Sequence, residues 1–311
     1  MNNFQLEKTA DGSFTFFSPE FGEAFHSRYG ARQEAEKKFV EPTQLVGKAE
    51  QPAVRLLDIC YGLGYNTGAA LAALWAVNPS CRVEWVGLEL DKRVPSSAIA
   101  HNLHLDWPKP VPDILAELAN SGQVKIPTIN AELLLGDARK TIQVLVTAGF
   151  EADAIFLDPF SPPSCPQLWT IEFLALVARC LKNKGFLATY SCSAAVRTAL
   201  MAAGLEIGST APVGRRSPGT LAWWPARENE SIVGKRSELR LSEQELEHLQ
   251  TRAAIPYRDP NLCDGADVIR QRRNIEQQQS SLEPTSQWKK RSAADRSIAN
   301  KNNQITKVKA E

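Results

Sequence analysis

The stretch Leu56-Leu57-Asp58-Ile59-Cys60-Tyr61-Gly62-Leu63-Gly64-Tyr65-Asn66-Thr67-Gly68 constrains the fold more than any other part of the chain. An apolar run, Val54 to Ile59, leads into a glycine-rich turn, and a helix-like stretch, Ala69 to Val77, follows. Strand, tight turn and helix in that order mark the start of a βαβ unit. Glycines at such a turn permit positive φ and close approach of the backbone to a ligand.

Three further acids fall where a nucleoside site needs them. Glu89 closes the second strand-like segment, Arg82 to Leu88, and a carboxylate there can accept from both ribose hydroxyls. Asp137 follows Leu133-Leu134-Leu135-Gly136 and is placed to accept from an adenine amino group. Asp158 closes Asp153 to Leu157 and precedes Pro159-Phe160. With Asp58, all four stand at strand ends, the edge at which open α/β sheets bind ligands. Singly, each acid is as readily a helix or turn cap; together they favour a binding edge.

A nicotinamide cofactor is the rival for such a fold. The turn Cys60-x-Gly62-x-Gly64 lacks the Gly-x-Gly-x-x-Gly spacing of the dinucleotide fingerprint. Acids at the ends of the first and second strands are similar to those of Rossmann-like S-adenosylmethionine-dependent methyltransferases. That cofactor carries no phosphate, so the turn need not cradle one. Cys60 stands where that family usually has its first glycine.

The 311 residues suffice for one large domain, and 43% of them are apolar, a globular value. The net charge of +1 argues neither for nor against nucleic acid. The six cysteines form no Cys-x-x-Cys pair and have no accompanying His cluster, so neither zinc nor a disulfide framework is expected. There is no basic-then-apolar leader and no apolar run near 18 residues. The chain is expected to be soluble and cytoplasmic, with no metal and no membrane partner.

Residues 1–45 read as short strands and a segment able to fold over the pocket as a lid. Within it, His26 is a candidate for substrate contact or a structural histidine, and Tyr29 stacks on a base or fills the core. Residues 46–230 form the main α/β domain, with 104–131 as an insertion that shapes a substrate site or simply runs over the surface. The loop Asp158 to Thr170 carries four prolines, a stiffness suited to holding Asp158, Phe160 and Trp169 around a reacting group. Arg215 and Arg216 stand on a glycine-flanked loop that either clamps phosphates or is simply solvated. Residues 231–279 read as a helical extension and 280–311 as a basic, disordered tail. Residues 265–311 hold ten Lys/Arg against five Asp/Glu, a charge that attracts RNA or only aids solubility.

With these residues laid out, the chain resembles the methyltransferase half of the bifunctional tRNA 5-methylaminomethyl-2-thiouridine biosynthesis enzyme and its stand-alone relatives. The matching segments are Phe25-His26-Ser27 with the following Gly30-Ala31 and Glu34-Ala35, Gly62-Leu63-Gly64-Tyr65-Asn66, Gly87-Leu88-Glu89 and Gly136-Asp137-Ala138. The most specific are Asp158-Pro159-Phe160-Ser161-Pro162 with Leu168-Trp169-Thr170, and Thr189-Tyr190-Ser191 with Val196-Arg197. The resemblance spans roughly 14–224 and lacks the flavin-dependent half, so removal of a carboxymethyl group is not expected.

The resemblance implies a Rossmann-like α/β fold with a mostly parallel seven-stranded sheet and helices on both faces. It implies methyl transfer from S-adenosyl-L-methionine to the aminomethyl nitrogen of a wobble uridine in tRNA. A separate enzyme would then supply the aminomethyl-uridine. Asp58, Gly62, Gly64, Asn66, Glu89 and Asp137 are assigned to the cofactor, and Asp158 to catalysis. His26, Phe160, Trp169, Arg197, Arg215 and Arg216 are assigned to the substrate. A small-molecule amine methyltransferase and a non-catalytic RNA-binding module remain the alternatives.

Overall fold

The computed structural model describes residues 4–214, 217–226 and 239–292. Arg215, Arg216 and the tail from 293 onward lie outside the described residues, so the expectations placed on them stay open. An N-terminal antiparallel sheet joins β1 (Gln5–Lys8), β2 (Phe14–Ser18) and β3 (Glu23–Ala24). The main sheet contains β4 (Ala53–Ile59), β5 (Arg82–Glu89), β6 (Gln123–Ile126) and β7 (Ile129–Leu135). It continues with β8 (Ala152–Leu157), β9 (Leu181–Thr189), β10 (Glu206–Ser209) and β11 (Thr220–Trp223).

The strand order is β10-β11-β9-β8-β4-β5-β7-β6. The five strands β9, β8, β4, β5 and β7 are parallel, whereas β11, β10 and β6 pair antiparallel. The chain leaves β4 toward β5 and β7 on one side and later fills β8 and β9 on the other. The order therefore reverses at β4, and the crevice beyond its carboxyl end is where such sheets hold ligands.

Alternation along the strands explains why both faces are covered. Leu56, Trp85 and Phe156 pack into one apolar cluster, and Leu57, Ile155 and Leu157 pack into the opposite one. The helix after the glycine turn runs over Tyr65–Val77, a turn earlier than the apolar run alone suggests. Gly68 sits inside it because a Cβ there would come within 2.5 Å of the Trp107 indole. That glycine serves helix packing and not a ligand.

The sheet has eight strands where seven were expected. The extra strand, β6, lies in the segment read as an insertion. Residues 104–131 supply the helix Val111–Ser121, β6 and the start of β7. They belong to the crossover between β5 and β7, and Leu115 and Leu118 are buried in the core. Within the expected tail, residues 280–292 are ordered. Residues 285–292 are helical, because Trp288 is buried and donates its Nε1–H to Glu247 at 3.0 Å.

The C-terminal extension is tied by charge to two helices that flank the sheet. Buried Arg197 pairs with Glu245 at 2.8 Å, and Arg139 pairs with buried Asp259 at 2.8 Å. Among the described residues, no helix is long and apolar enough to cross a membrane. Burial would raise the Glu245 carboxyl, but bonds from Ser209 and Ser242 and the Arg197 charge outweigh it and hold it at about 2, below the ordinary 4.5. A depressed carboxyl stabilises the fold above its unfolded value, and the contribution is lost as pH falls from 4.5 toward 2. Glu245→Gln should therefore be less stable than wild type at neutral pH, with the gap closing through that acidic window. Urea unfolding at a series of pH values measures this; a gap that does not change with pH contradicts it.

Candidate active site

The carboxyl ends of β4, β5 and β8 lie side by side. Ile59 is level with Leu88 on β5 and with Leu157 on β8, so the residues that follow each strand meet at one edge. The turn after β4 is fixed from below: the Cys60 and Tyr61 N–H groups donate to the Leu88 carbonyl at 2.9 and 3.0 Å. Cys60 adopts φ 69°, a conformation glycine takes freely and an L side chain takes at a cost of about 1–2 kcal/mol. The glycine-turn path is thus kept without the glycine. At Gly64, φ is 82° and a Cβ would stand 2.7 Å from the Tyr61 hydroxyl oxygen, so no larger residue fits.

Glu89 binds this turn to β5. Its Oε2 accepts from the Gly62 N–H at 2.8 Å and its Oε1 from the Asp91 N–H at 2.9 Å. Each carboxylate oxygen has two lone pairs, so acceptor capacity remains for a ribose hydroxyl. Burial raises the Glu89 carboxyl, partly opposed by these backbone bonds. Asp58 is fully buried one layer down, where its Oδ2 accepts from Thr67 at 2.6 Å. Burial pushes it up to about 7, against the Thr67 bond and helped by the Glu89 charge. Its Oδ1 and the Asn66 Oδ1 are buried without partners in the described residues.

Asp158 follows β8 and faces the same space. Its N–H donates to Ile59 at 3.1 Å, and its Oδ2 accepts from Asn66 Nδ2 at 2.9 Å. Its Oδ1 has no partner among the described residues and is not sealed off from the cavity. Burial and the nearby Glu34 charge raise this carboxyl well above its usual range; the Asn66 bond acts the other way.

These groups open on a cavity of about 520 Å³, a size typical of cofactor sites. Gly62, Glu89, Asp158, His26 and Phe160 all line it. The N-terminal segment lines it from one side. Phe21 stacks on Phe160 at 4.3 Å and Phe25 meets it edge-on at 5.0 Å. Glu23 latches this segment to the proline-rich loop, accepting from the Ser161 N–H at 3.0 Å and from Ser164 at 2.7 Å. His26 is neutral at ordinary pH because burial lowers it to about 4, though Glu34 and Asp11 pull the other way.

Other expected residues stand elsewhere. Asp58, Gly64 and Asn66 support the wall from behind and do not line it. Asp137 caps the helix Ala138–Thr147 and is clamped by Arg139 at 2.7 Å, away from the cavity lining. Trp169 is wholly buried and donates to the Phe160 carbonyl at 2.8 Å, so it braces the loop and offers no face to a base. Arg197 is spent on Thr220 and Glu245. The 104–131 segment contributes nothing to the lining. Sequence reasoning missed Glu34, Glu23, Phe21 and Tyr190. Glu34 stands in the helix-like run Arg32 to Val40 and in a segment that matches the family, but neither assigns it a role; it is buried and lines the cavity.

A family profile described as S-adenosyl-L-methionine-dependent methyltransferase matches residues 97–225. The chain is similar to the crystal structure of MnmC2 from Aquifex aeolicus, with 33% identity and a TM-score of 0.75, covering 90% of this chain and 87% of that one. It is 29% identical to the uncharacterized protein MJ0670 of Methanocaldococcus jannaschii, over 85% of this chain and 70% of that protein. It is 30% identical to the tRNA 5-methylaminomethyl-2-thiouridine biosynthesis bifunctional protein MnmC of Ralstonia nicotianae. That match takes in 68% of this chain but only 33% of the bifunctional protein, so the chain spans about a third of such relatives.

The cofactor of this class is S-adenosyl-L-methionine, and the residues fit it: a carboxylate with acceptor capacity for a ribose hydroxyl, a turn of positive φ and a cavity of the right size. In Glu89→Gln, one amide NH2 group would face a backbone N–H. S-adenosylhomocysteine should then bind about 10-fold or more weaker by calorimetry, the size of one charged hydrogen bond. An unchanged Kd would take Glu89 out of the cofactor site.

Proposed function

The chain belongs to the MnmC2 family of S-adenosyl-L-methionine-dependent methyltransferases, and from that premise we propose that it methylates the aminomethyl nitrogen on a wobble uridine of tRNA. The product is 5-methylaminomethyl-2-thiouridine when the base carries sulfur. The reading assigns this activity to the cytoplasm, with tRNA as partner and a separate enzyme supplying the aminomethyl-uridine. One observation carries it: Asp158, with one oxygen held by Asn66 and one free, faces the cavity that also holds the Glu89 carboxylate and the Gly62 turn.

When bound, S-adenosyl-L-methionine supplies an electrophilic methyl group, so the protein has mainly to present a neutral amine in line with it. A primary alkylamine is protonated at neutral pH, as the lysine side chain is. Asp158 accepts that proton on its free oxygen, which leaves the nitrogen lone pair available. Its raised affinity for protons suits this task better than an ordinary carboxylate would. Asn66 fixes the orientation of the acceptor. The Phe21, Phe25 and Phe160 rings keep water from competing, and Tyr190 holds the loop by donating to the Pro159 carbonyl at 2.9 Å.

Asp158→Asn should keep S-adenosylhomocysteine affinity and lose about 100- to 10,000-fold in turnover, the usual worth of a general base. Methyl transfer to tRNA bearing aminomethyl-uridine, followed by nucleoside mass spectrometry, measures it. The wild-type rate should fall on the acidic side at a pH above the ordinary carboxylate range. Wild-type turnover in the variant would remove Asp158 from the reaction.

A further inference from the structure

Asp158 is not the only carboxylate with an uncommitted oxygen in this cavity. Glu34 lines it as well. Its Oε2 accepts from the Ser27 N–H at 3.0 Å, which fixes the side chain. Its Oε1 has no partner among the described residues, and it is not among the enclosed polar atoms that lack one. The arrangement repeats that of Asp158: one oxygen anchored, one offered to the cavity. Glu34 is nevertheless buried, at 9% exposure, with no ion pair among the described residues, and a buried carboxylate left unpaired is costly.

The rest of the wall sharpens the point. Among the described residues, six carboxylates line the cavity, from Glu20, Glu23, Glu34, Glu89, Asp91 and Asp158, against one basic side chain, Arg28. Arg28 is 83% exposed and leans toward Glu7 at 3.7 Å. Glu23 and Glu89 are committed to backbone N–H groups. Glu34 and Asp158 remain as the inner pair able to meet a cation.

We propose that Glu34 binds the protonated amine of the substrate alongside Asp158, and that the pair excludes an amine that carries an added carboxylate. The inference rests on the methyl-transfer reading above and names what that site selects. A primary ammonium offers three N–H donors, enough for Glu34 Oε1 and Asp158 Oδ1 together. When the proton passes to Asp158, the Glu34 charge still holds a remaining N–H and limits rotation of the nitrogen. A carboxymethylated amine would bring its negative charge into an acid-lined, water-poor space, where like charges repel strongly. Glu34 also raises the proton affinity of Asp158, while Lys38 opposes it and Asp58 adds to it. His26, which feels the Glu34 charge and is itself lowered by burial, and Cys60, Cys165, Tyr190 and Glu89 are further titratable groups on the wall.

The test uses the full chain with two tRNAs, one bearing aminomethyl-uridine and one bearing carboxymethylaminomethyl-uridine at the wobble position. Glu34→Gln keeps an acceptor for the Ser27 N–H, and Glu34→Asp keeps the charge. S-adenosylhomocysteine affinity should be unchanged in both, which reports an intact fold. For the aminomethyl tRNA, Glu34→Gln should raise KM roughly 10- to 100-fold, the worth of one charge-assisted hydrogen bond. Its acidic limb should move to lower pH, because Asp158 loses a negative neighbour. Inhibition by the carboxymethylaminomethyl tRNA should strengthen in the same variant. Glu34→Asp should return the limb toward its wild-type position. If the wild type methylates the aminomethyl tRNA while Glu34→Gln shows an unchanged KM and an unchanged limb, the role of Glu34 is overturned and the methyl-transfer reading stands. A wild type inactive on that tRNA overturns both.

Discussion

The hydrogen bond from the Gly62 N–H to Glu89 is the contact on which the site depends. It joins the turn after β4 to the acid that closes β5, across the point where the sheet reverses its order. Parallel pairing makes this possible. Ile59 is level with both Leu88 and Leu157, so the residues beyond three strands arrive at one edge without any loop reaching for another. The fold then carries a burden. Asp58, Glu89 and Asp158 are all raised by burial, meaning that each charge is held where water solvates it poorly. Thr67, Asn66 and backbone N–H groups offset part of that cost. Such concentrated, perturbed acids belong to sites that bind and transfer protons more often than to structural caps.

The strand ends were legible because each leaves a local mark: an apolar run, then an acid or a glycine. The turn, Glu89 and Asp158 could be read that way, and the structure brings them to one cavity. Asp137 carries the same mark and goes elsewhere. Its neighbour Arg139 also pairs with Asp259, more than a hundred residues on, and that fixes Asp137 as a helix cap. Arg197 is likewise held away from the cavity lining, paired with Glu245. Nothing in the local sequence announces a partner from a distant helix.

Trp169 and Gly68 mark a second limit. Each lies in a motif that points to the ligand, yet one braces a loop through the Phe160 carbonyl and the other makes room for Trp107. A motif keeps a residue type for its packing as readily as for its chemistry. Glu34 is the converse. Its helix-like local pattern gives it no role, and only the folding of the first 45 residues over the sheet buries it. The walls of the cavity come from segments far apart in sequence, held together by the Glu23 bonds to the Ser161 loop.

The central claim is that carboxylates at adjoining strand ends receive a sulfonium-bearing nucleoside beside the N-terminal segment. A crystal of the protein grown with S-adenosylhomocysteine tests it most directly. The ribose hydroxyls should lie against Glu89 and the sulfur should point toward Asp158. A nucleoside found outside this cavity, for example against Asp137 and Arg139, would contradict it.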